Sequence, residues 1–509
     1  MPLLLPLLLS LLAVLIGGLY LLGVFRRRRP GEPPLDRGPI PWLGHAFEFR
    51  RHPVKFLERM KRKHGEVFTV QVAGMYITFL LDSLSFGAFI KESPEKLNLS
   101  KFSVKVAKWI FGIEALGDEN QSREVHKHLR GAGLEALTHN MMSNWQNVIL
   151  QNIRSSSGKK TWTEDDLCLF SYKMIFQTGY LSLFGNVAQK SQGSLEKAKQ
   201  RDLAESEALF TEFQKFNQIF PKLILGLMNP RINKEAKRLK EFFWDTLSIQ
   251  KTKTRENMSR WVLDIQQHNQ EMGMKESMIN RHMLILLFAS QANTGLAAFW
   301  LLFFLMKHPE AMDAVKEEVN NVLKESGQEV VHDGPLINVT YDMLMKTPVL
   351  DSALEETLRL IVVLFLFRSV LQEMTLKTAD GCEYNIRKGD SMAAFPYLAI
   401  HTNPEIHPDP QSFKYDRFLN PDGSKKTNFF KSGKKVKYFS MPWGAGVSKC
   451  PGRFFAVNEL KQFLFLMLSY FDLELMNPKE ETPDADAKRL GFGVIHPTRE
   501  VQFRYRLKV

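Results

Sequence analysis

A mainly α fold is predicted: one large helical domain with a minor β portion, behind a single N-terminal transmembrane helix. Three observations predict it. The first 25 residues carry no charge and end abruptly at Arg26-Arg27-Arg28-Arg29. From about residue 86 to 360 apolar residues recur at helical spacing between short polar loops. Strand-like runs are confined to the stretch after the arginines and to the C-terminal third. With 44% hydrophobic and 24% charged residues over 509 positions, disordered, collagenous and coiled-coil classes are excluded.

The elements follow in order. Met1 to Phe25 is rich in Leu, Val and Ile, and at about 1.5 Å per helical residue it spans a hydrocarbon core of roughly 30 Å. A cleaved signal would place its basic residues before the apolar core. Here they come after it, so residues 1–25 read as a retained anchor, and the positive-inside rule puts the rest of the chain in the cytosol. Residues 26–44 hold the arginines and the prolines at 30, 33, 34, 39 and 41, which cannot continue the helix, and read as a stiff hinge. Val67 to Val72 and Met75 to Leu80, separated by Ala73-Gly74, read as a hairpin. Strands return in Glu383 to Phe395, and Val501, Phe503, Tyr505 and Leu507 alternate at period two. Length alone suggests about three domains. No linker, repeat or low-complexity stretch interrupts residues 45–509, which are therefore taken as one domain.

Met283 to Met306 is uncharged and long enough to span a bilayer. Its middle holds Ser290, Gln291, Asn293 and Thr294, polar groups that would be costly in lipid, so it reads as a buried central helix. Ser290, Asn293 and Thr294 stand at i, i+3 and i+4 and share one face, a polar notch that could look onto a reaction centre.

The net charge is +13, of which four units are the arginine tetrad; this is a basic protein without a nucleic-acid-binding tail. Only Cys168, Cys382 and Cys450 occur, with no CxxC pair, so a disulfide framework and a cysteine zinc site are excluded and a reducing compartment is favoured. Most lone cysteines are small core residues. Cys450 differs, because Gly444, Gly446 and Gly452 allow tight turns around it, and the helical pattern from Arg453 onward sets it just before a helix N-terminus, where a thiolate is favoured.

Trp443, Gly446 three residues on, Cys450 four further and Gly452 two beyond resemble the haem-thiolate loop of the cytochrome P-450 superfamily. Glu356-Thr357-Leu358-Arg359 resembles its ExxR helix, and Phe413 to Phe418 its later segment ending in Arg-Phe. Alone, Glu356 and Arg359 would read as a surface ion pair worth a few tenths of a kcal/mol. The resemblance implies instead a buried network with Arg417. It also implies haem b, with Cys450 as axial ligand whose thiolate favours O–O cleavage, and the notch helix crossing over it. The fold so implied is that of cytochrome P-450.

The sequence departs from the superfamily pattern at several places. Trp443 replaces the usual Phe and Ser448 a common arginine, so a partner of the haem propionates is missing; Arg368, Arg130 and His126 are the candidates to replace it. Asn293-Thr294 stands where an acid-alcohol pair is usual, and an amide cannot deliver a proton as an acid can. That replacement resembles the sterol-hydroxylase and prostacyclin-synthase branch. Within it, the segments around Tyr180, Ser290, Phe413 and Cys450 together look most like the sterol 12α-hydroxylases, which oxidise a 7α-hydroxy-4-cholesten-3-one type of sterol in bile acid synthesis. Phe288, where tryptophan is expected, and Phe365, in a segment lacking the expected proline, are expected to border the substrate.

This resemblance implies a monooxygenase in the endoplasmic reticulum membrane, its catalytic domain cytosolic, using O2 and electrons from NADPH through NADPH-cytochrome P-450 reductase, with membrane lipid as a second partner. Ser424 to Ser440, with six lysines and no acid, is either a mobile solvated loop or a docking face for that acidic reductase. The alternatives are an endoperoxide isomerase of the prostacyclin-synthase kind, an oxysterol 7α-hydroxylase, and a lipid-binding protein without chemistry.

Overall fold

The computed structural model describes residues 26–508 except 100–103, 105, 114–124, 155–160, 225, 227–228 and 332–334, together with residues 10, 12–14, 17 and 18. The anchor expected over residues 1–25 therefore lies almost wholly outside the described residues.

Two layers make up the protein. The β layer begins in the proline-rich segment, where β1 (Leu35–Asp36) runs parallel to β2 (Val67–Val72), with Leu35 opposite Thr69. β2 turns into β3 (Met75–Leu80) through Ala73-Gly74, both at positive φ (47° and 78°), as a two-residue hairpin turn whose twist matches the strands. β4 (Leu366–Val370) and β5 (Ser391–Ala394) complete the sheet in the order β1-β2-β3-β5-β4, with Leu97–Asn98 on the outer edge. Every residue of β2 is buried, because Phe56, Leu57 and Met60 of the Pro53–His64 helix cover one face while Phe86 and Phe89 join Val67 and Leu80 on the other. Residues 26–44 are tied into this layer rather than free of it. Arg26 bonds Asp390 at 2.5 Å and lies over the Tyr76 ring, Arg387 pairs with Glu32, and Asp36 holds His45 at 2.9 Å and Lys63 at 2.8 Å.

The helical layer contains α1 (Gly131–Arg154), α2 (Leu167–Phe184), α3 (Leu195–Ile224), α4 (Arg260–Glu271), α5 (Glu276–Gln291), α6 (Thr294–Lys307), α7 (Pro348–Ile361) and α8 (Arg453–Tyr470). The expected single helix from Met283 to Met306 is α5 followed by α6, broken at Ala292-Asn293. Among the described residues, 276–307 is the one stretch long and apolar enough to cross a membrane, yet 72% of its most apolar window is buried inside the protein, as a core helix would be. α2 is buried around almost its whole circumference and crosses α6 so closely that a side chain at Gly295 would collide with Tyr172.

At the C-terminus, Phe503 pairs with both Leu475 and Asp165 in a three-stranded antiparallel sheet, so the period-two run is a central strand. A further strand, β6 (Phe492–Val494), returns along Val362–Leu364, directly after α7. That return brings the last segment of the chain against the middle of the central helix.

Candidate active site

Glu356 and Arg359 lie on α7 and are both fully buried. Arg359 grips the carboxylate through Nε and Nη2 at 2.6 and 2.8 Å, and Arg417 donates to both its oxygens from Nε at 2.9 and 2.8 Å. One carboxylate between two guanidiniums leaves a positive excess. Five backbone carbonyls absorb it: His401 and Pro410 accept from Arg359, and Pro408, Asp409 and Ser412 from Arg417. Glu356, Arg359 and Arg417 thus form a buried lock that fastens the 401–417 loop to α7.

The cysteine loop follows that lock. Gly444 and Gly446 stand at φ 71° and 63°, and the Cys450 N–H donates to the Trp443 carbonyl at 2.9 Å, closing the loop on itself. Arg453, at the first position of α8, returns to the Cys450 carbonyl at 2.9 Å. Burial pushes the Cys450 thiol upward, while the backbone N–H groups of Gly452 and Arg453 and the Arg453 charge pull the other way. Burial outweighs those groups, so the thiol by itself keeps its proton, and the thiolate expected from the helix N-terminus would need a bound cation beside the sulfur.

A cavity of about 710 Å³ joins this loop to the break between α5 and α6. Cys450, Trp443, Gly444 and Ser448 line it, as do Ser290, Asn293, Thr294 and Ala297, and the rest of its wall is largely apolar. Phe288 and Phe365, expected at the substrate, both line it as well. The break is chemically specific. Thr294 Oγ1 donates to the Ser290 carbonyl at 3.1 Å, and Asn293 Oδ1 accepts the Val494 N–H at 3.0 Å. With its oxygen so engaged, the Asn293 amide has its NH2 left to present to the cavity. Gly493 must be glycine, at φ 130°, since a side chain there would run into that amide.

Among the propionate candidates, Arg368 and His126 line the cavity. Arg368 is buried on β4, its Nη1 donating to the Phe367 carbonyl at 3.0 Å. His126 sits in a single 3₁₀ turn, His126–Leu129, rather than in a long helix. The Trp261 indole donates to its Nδ1 at 3.1 Å, which leaves the proton on Nε2, and burial and the Arg130 charge both keep the ring neutral. Arg130 itself is exposed and lies outside the cavity wall. His282, not singled out in the sequence, lines the wall too; Asn269 lies 2.9 Å from its Nδ1, and burial lowers it to about 4. The Gly491-Phe492-Gly493 wall was also missed, although two glycines around one aromatic are a legible sign of close backbone approach.

These groups fit a haem: a cysteine sulfur at the cavity wall, N–H groups of Arg368 and His126 along it, and an apolar chamber bordered by a hydroxyl and an amide. The comparisons agree. Residues 33–503 match the family model described as Cytochrome P450. The chain is 44% identical over 98% of both chains to the 7-alpha-hydroxycholest-4-en-3-one 12-alpha-hydroxylase of Oryctolagus cuniculus. It is 45% identical to the Homo sapiens protein of that name (99% of this chain, 98% of the relative) and 40% identical to the prostacyclin synthase of Bos taurus (94% and 95%). A solved structure of retinoic acid bound cyanobacterial CYP120A1 shares the fold, with a TM-score of 0.69 at 19% identity, covering 94% of this chain and all of that one. Motif, lock, cavity and match along nearly the whole length converge, and the chain belongs to the cytochrome P450 family.

Proposed function

We propose that this protein is a sterol monooxygenase that places a 12α-hydroxyl on a substrate of the 7α-hydroxycholest-4-en-3-one type. The observation that carries this reading is the 44–45% identity, over nearly the full length, to enzymes named for that reaction. The apolar cavity between Cys450 and the Asn293-Thr294 break supports it, since a rigid hydrocarbon skeleton needs such a wall. Haem, when bound, supplies the activation of O2 and the insertion of one oxygen atom into a C–H bond.

In this reading the Cys450 sulfur would ligate the haem iron with Trp443 of the same loop beside the cofactor, and Arg368 and His126 would hold its acid groups. Thr294 would supply a proton by turning its Oγ1 hydroxyl away from the Ser290 carbonyl, which it otherwise bonds. Asn293, unable to serve as an acid, orients through its NH2 while Val494 fixes its oxygen. Phe288 and Phe365 exclude water and shape the sterol seat.

Electrons come from NADPH through the membrane reductase, which meets the face bearing the exposed lysines between 424 and 440. Five of the six lysines there are exposed or half-buried; Lys431 is internal, bonding Glu66 and Asp82 at 3.0 and 3.1 Å, so that segment is an ordered hairpin with a basic outer face. Lipid is met by Ile40, Trp42, Phe47 and Met75, apolar side chains exposed beside the arginine segment, with residues 1–25 as a single span in the endoplasmic reticulum and the catalytic domain in the cytosol.

Purified protein with reductase, NADPH and O2 should convert 7α-hydroxycholest-4-en-3-one to a product one oxygen heavier, hydroxylated at C12 by mass spectrometry and NMR. The 40% identity to prostacyclin synthase keeps one second reading, endoperoxide isomerisation. Turnover of an endoperoxide without NADPH, with sterols untouched, would select it and overturn the first.

A further inference from the structure

The break between α5 and α6 is held by a chain of hydrogen bonds that starts far from it. Tyr172 on α2 donates its hydroxyl to the Ala292 carbonyl at 3.1 Å, at the break itself. Asn217 on α3 donates through Nδ2 to the Tyr172 oxygen at 3.1 Å. Arg489 donates to the Asn217 side-chain oxygen at 3.1 Å and to its backbone carbonyl, and its Nη1 lies 2.9 Å from His496 Nε2. Tyr172 and Asn217 are buried, and Gly295 is what lets the Tyr172 ring lie against α6. Burial raises the Tyr172 phenol, so it stays protonated and can donate.

Two links of this chain, Asn217 and Arg489, belong to pieces that also wall the substrate cavity. α3 contributes Phe220, one turn after Asn217, whose ring stacks on Phe288 at 4.4 Å, and Ile224. The segment that carries Arg489 contributes Gly491, Phe492, Gly493 and Val494, the last of which holds Asn293 from the other side of the break. A ligand that presses on Phe220 or on the 491–494 wall therefore acts on groups bonded, within two or three links, to Ala292 and Asn293.

We propose that Tyr172 is a positioning residue for the oxygen-side break, and that the Arg489–Asn217–Tyr172 chain makes the seating of α3 and of the 491–494 wall over a substrate a condition for the break to hold Asn293 and Thr294 in place. The consequence is a coupling device: electrons are used productively only when a substrate completes the wall. It rests on the monooxygenase reading above. Wild-type holoenzyme with reductase, forming hydroxylated sterol from NADPH, is the control that tests that reading separately.

Tyr172→Phe keeps the ring and removes the donated proton. Expected are an unchanged reduced-CO spectrum, a substrate dissociation constant within about two-fold of wild type, and a fall of about five-fold in product per NADPH with a matching rise in peroxide, the scale of one neutral hydrogen bond. Asn217→Ala should do the same, and the double variant should lose no more than Tyr172→Phe alone, because the links act in series. Arg489→Lys tests the far end without touching Tyr172. Wild-type coupling in Tyr172→Phe, or multiplying losses in the double variant, overturns the proposal. Should Tyr172→Phe fail to hold haem, coupling in Arg489→Lys decides alone: a loss supports the chain and wild-type coupling overturns it.

Discussion

Asn293 shows how much one amide in place of an acid demands of its surroundings. A carboxylic acid at that position could pass a proton by itself; an amide can only orient, so its orientation must be fixed, and the Val494 N–H fixes it at 3.0 Å. Asn293→Ala should keep the haem spectrum and lower product per NADPH by about five-fold, as expected for one lost hydrogen bond, measured as NADPH consumed against sterol formed. Unchanged coupling would make the amide a packing group only. The three cysteines offer a second test at this scale. Cys168 is partly buried with its thiol pushed up to about 12, Cys382 is exposed, and Cys450 lines the cavity. Cys450→Ala should abolish the thiolate band near 450 nm in the reduced-CO spectrum, a haem-thiolate signature, while Cys168→Ala and Cys382→Ala keep it. Equal loss in all three would remove Cys450 as ligand.

Between elements, the strongest tie is the lock on α7. Its spacing alone gave no sign of burial, since Glu and Arg at i, i+3 usually lie in solvent; only the family resemblance implied it. What converts them is Arg417, 61 residues away along the chain, and the carbonyls of the loop it closes. Glu356→Gln leaves two guanidiniums facing a neutral amide in a dry interior, at a cost of roughly 3–5 kcal/mol. The variant should lose haem and cooperative unfolding together, read by absorbance and calorimetry; a haem-replete variant with wild-type Tm would show that the lock is dispensable. The central helix teaches the complementary lesson. Its polar notch was visible as Ser290, Asn293 and Thr294, but continuous helical periodicity gave no sign of a break. At the break a hydroxyl from α2 reaches the Ala292 carbonyl, a contact 120 residues distant with no local signature. The six-lysine segment contained a similar surprise, because Lys431 finds two carboxylates on the β layer and turns inward.

For the whole molecule, buried histidines contribute to its sensitivity to acid. Burial, aided by the Arg359 charge, lowers His401 to about 3 and His407 to about 2 from an ordinary 6.5. Unfolding frees such rings to take up a proton that the native state refuses. The unfolded chain therefore binds more protons below pH 6.5, and the stability these residues allow is whole above that value and lost as pH falls toward their native pKa. In haem-loaded protein, His407→Gln should flatten the fall of stability between pH 6.5 and 4 by up to about 1.4 kcal/mol per pH unit, measured by denaturant melts at each pH. An identical slope would mean that His407 titrates equally in both states. At this scale the sequence by itself determined the class of fold, the hairpin and the C-terminal strand through local spacing that backbone geometry converts directly into structure, and the cysteine loop and the three members of the lock through their resemblance to a known family. Only the tertiary structure decided that the arginine and proline segment is fastened to the sheet, that the central helix is broken at Ala292-Asn293, that His126 and Arg368 line the cavity while Arg130 does not, and that Val494 holds the Asn293 oxygen at the break. Those outcomes turn on which buried polar groups find partners across more than a hundred residues of chain, and local spacing is silent about such partners.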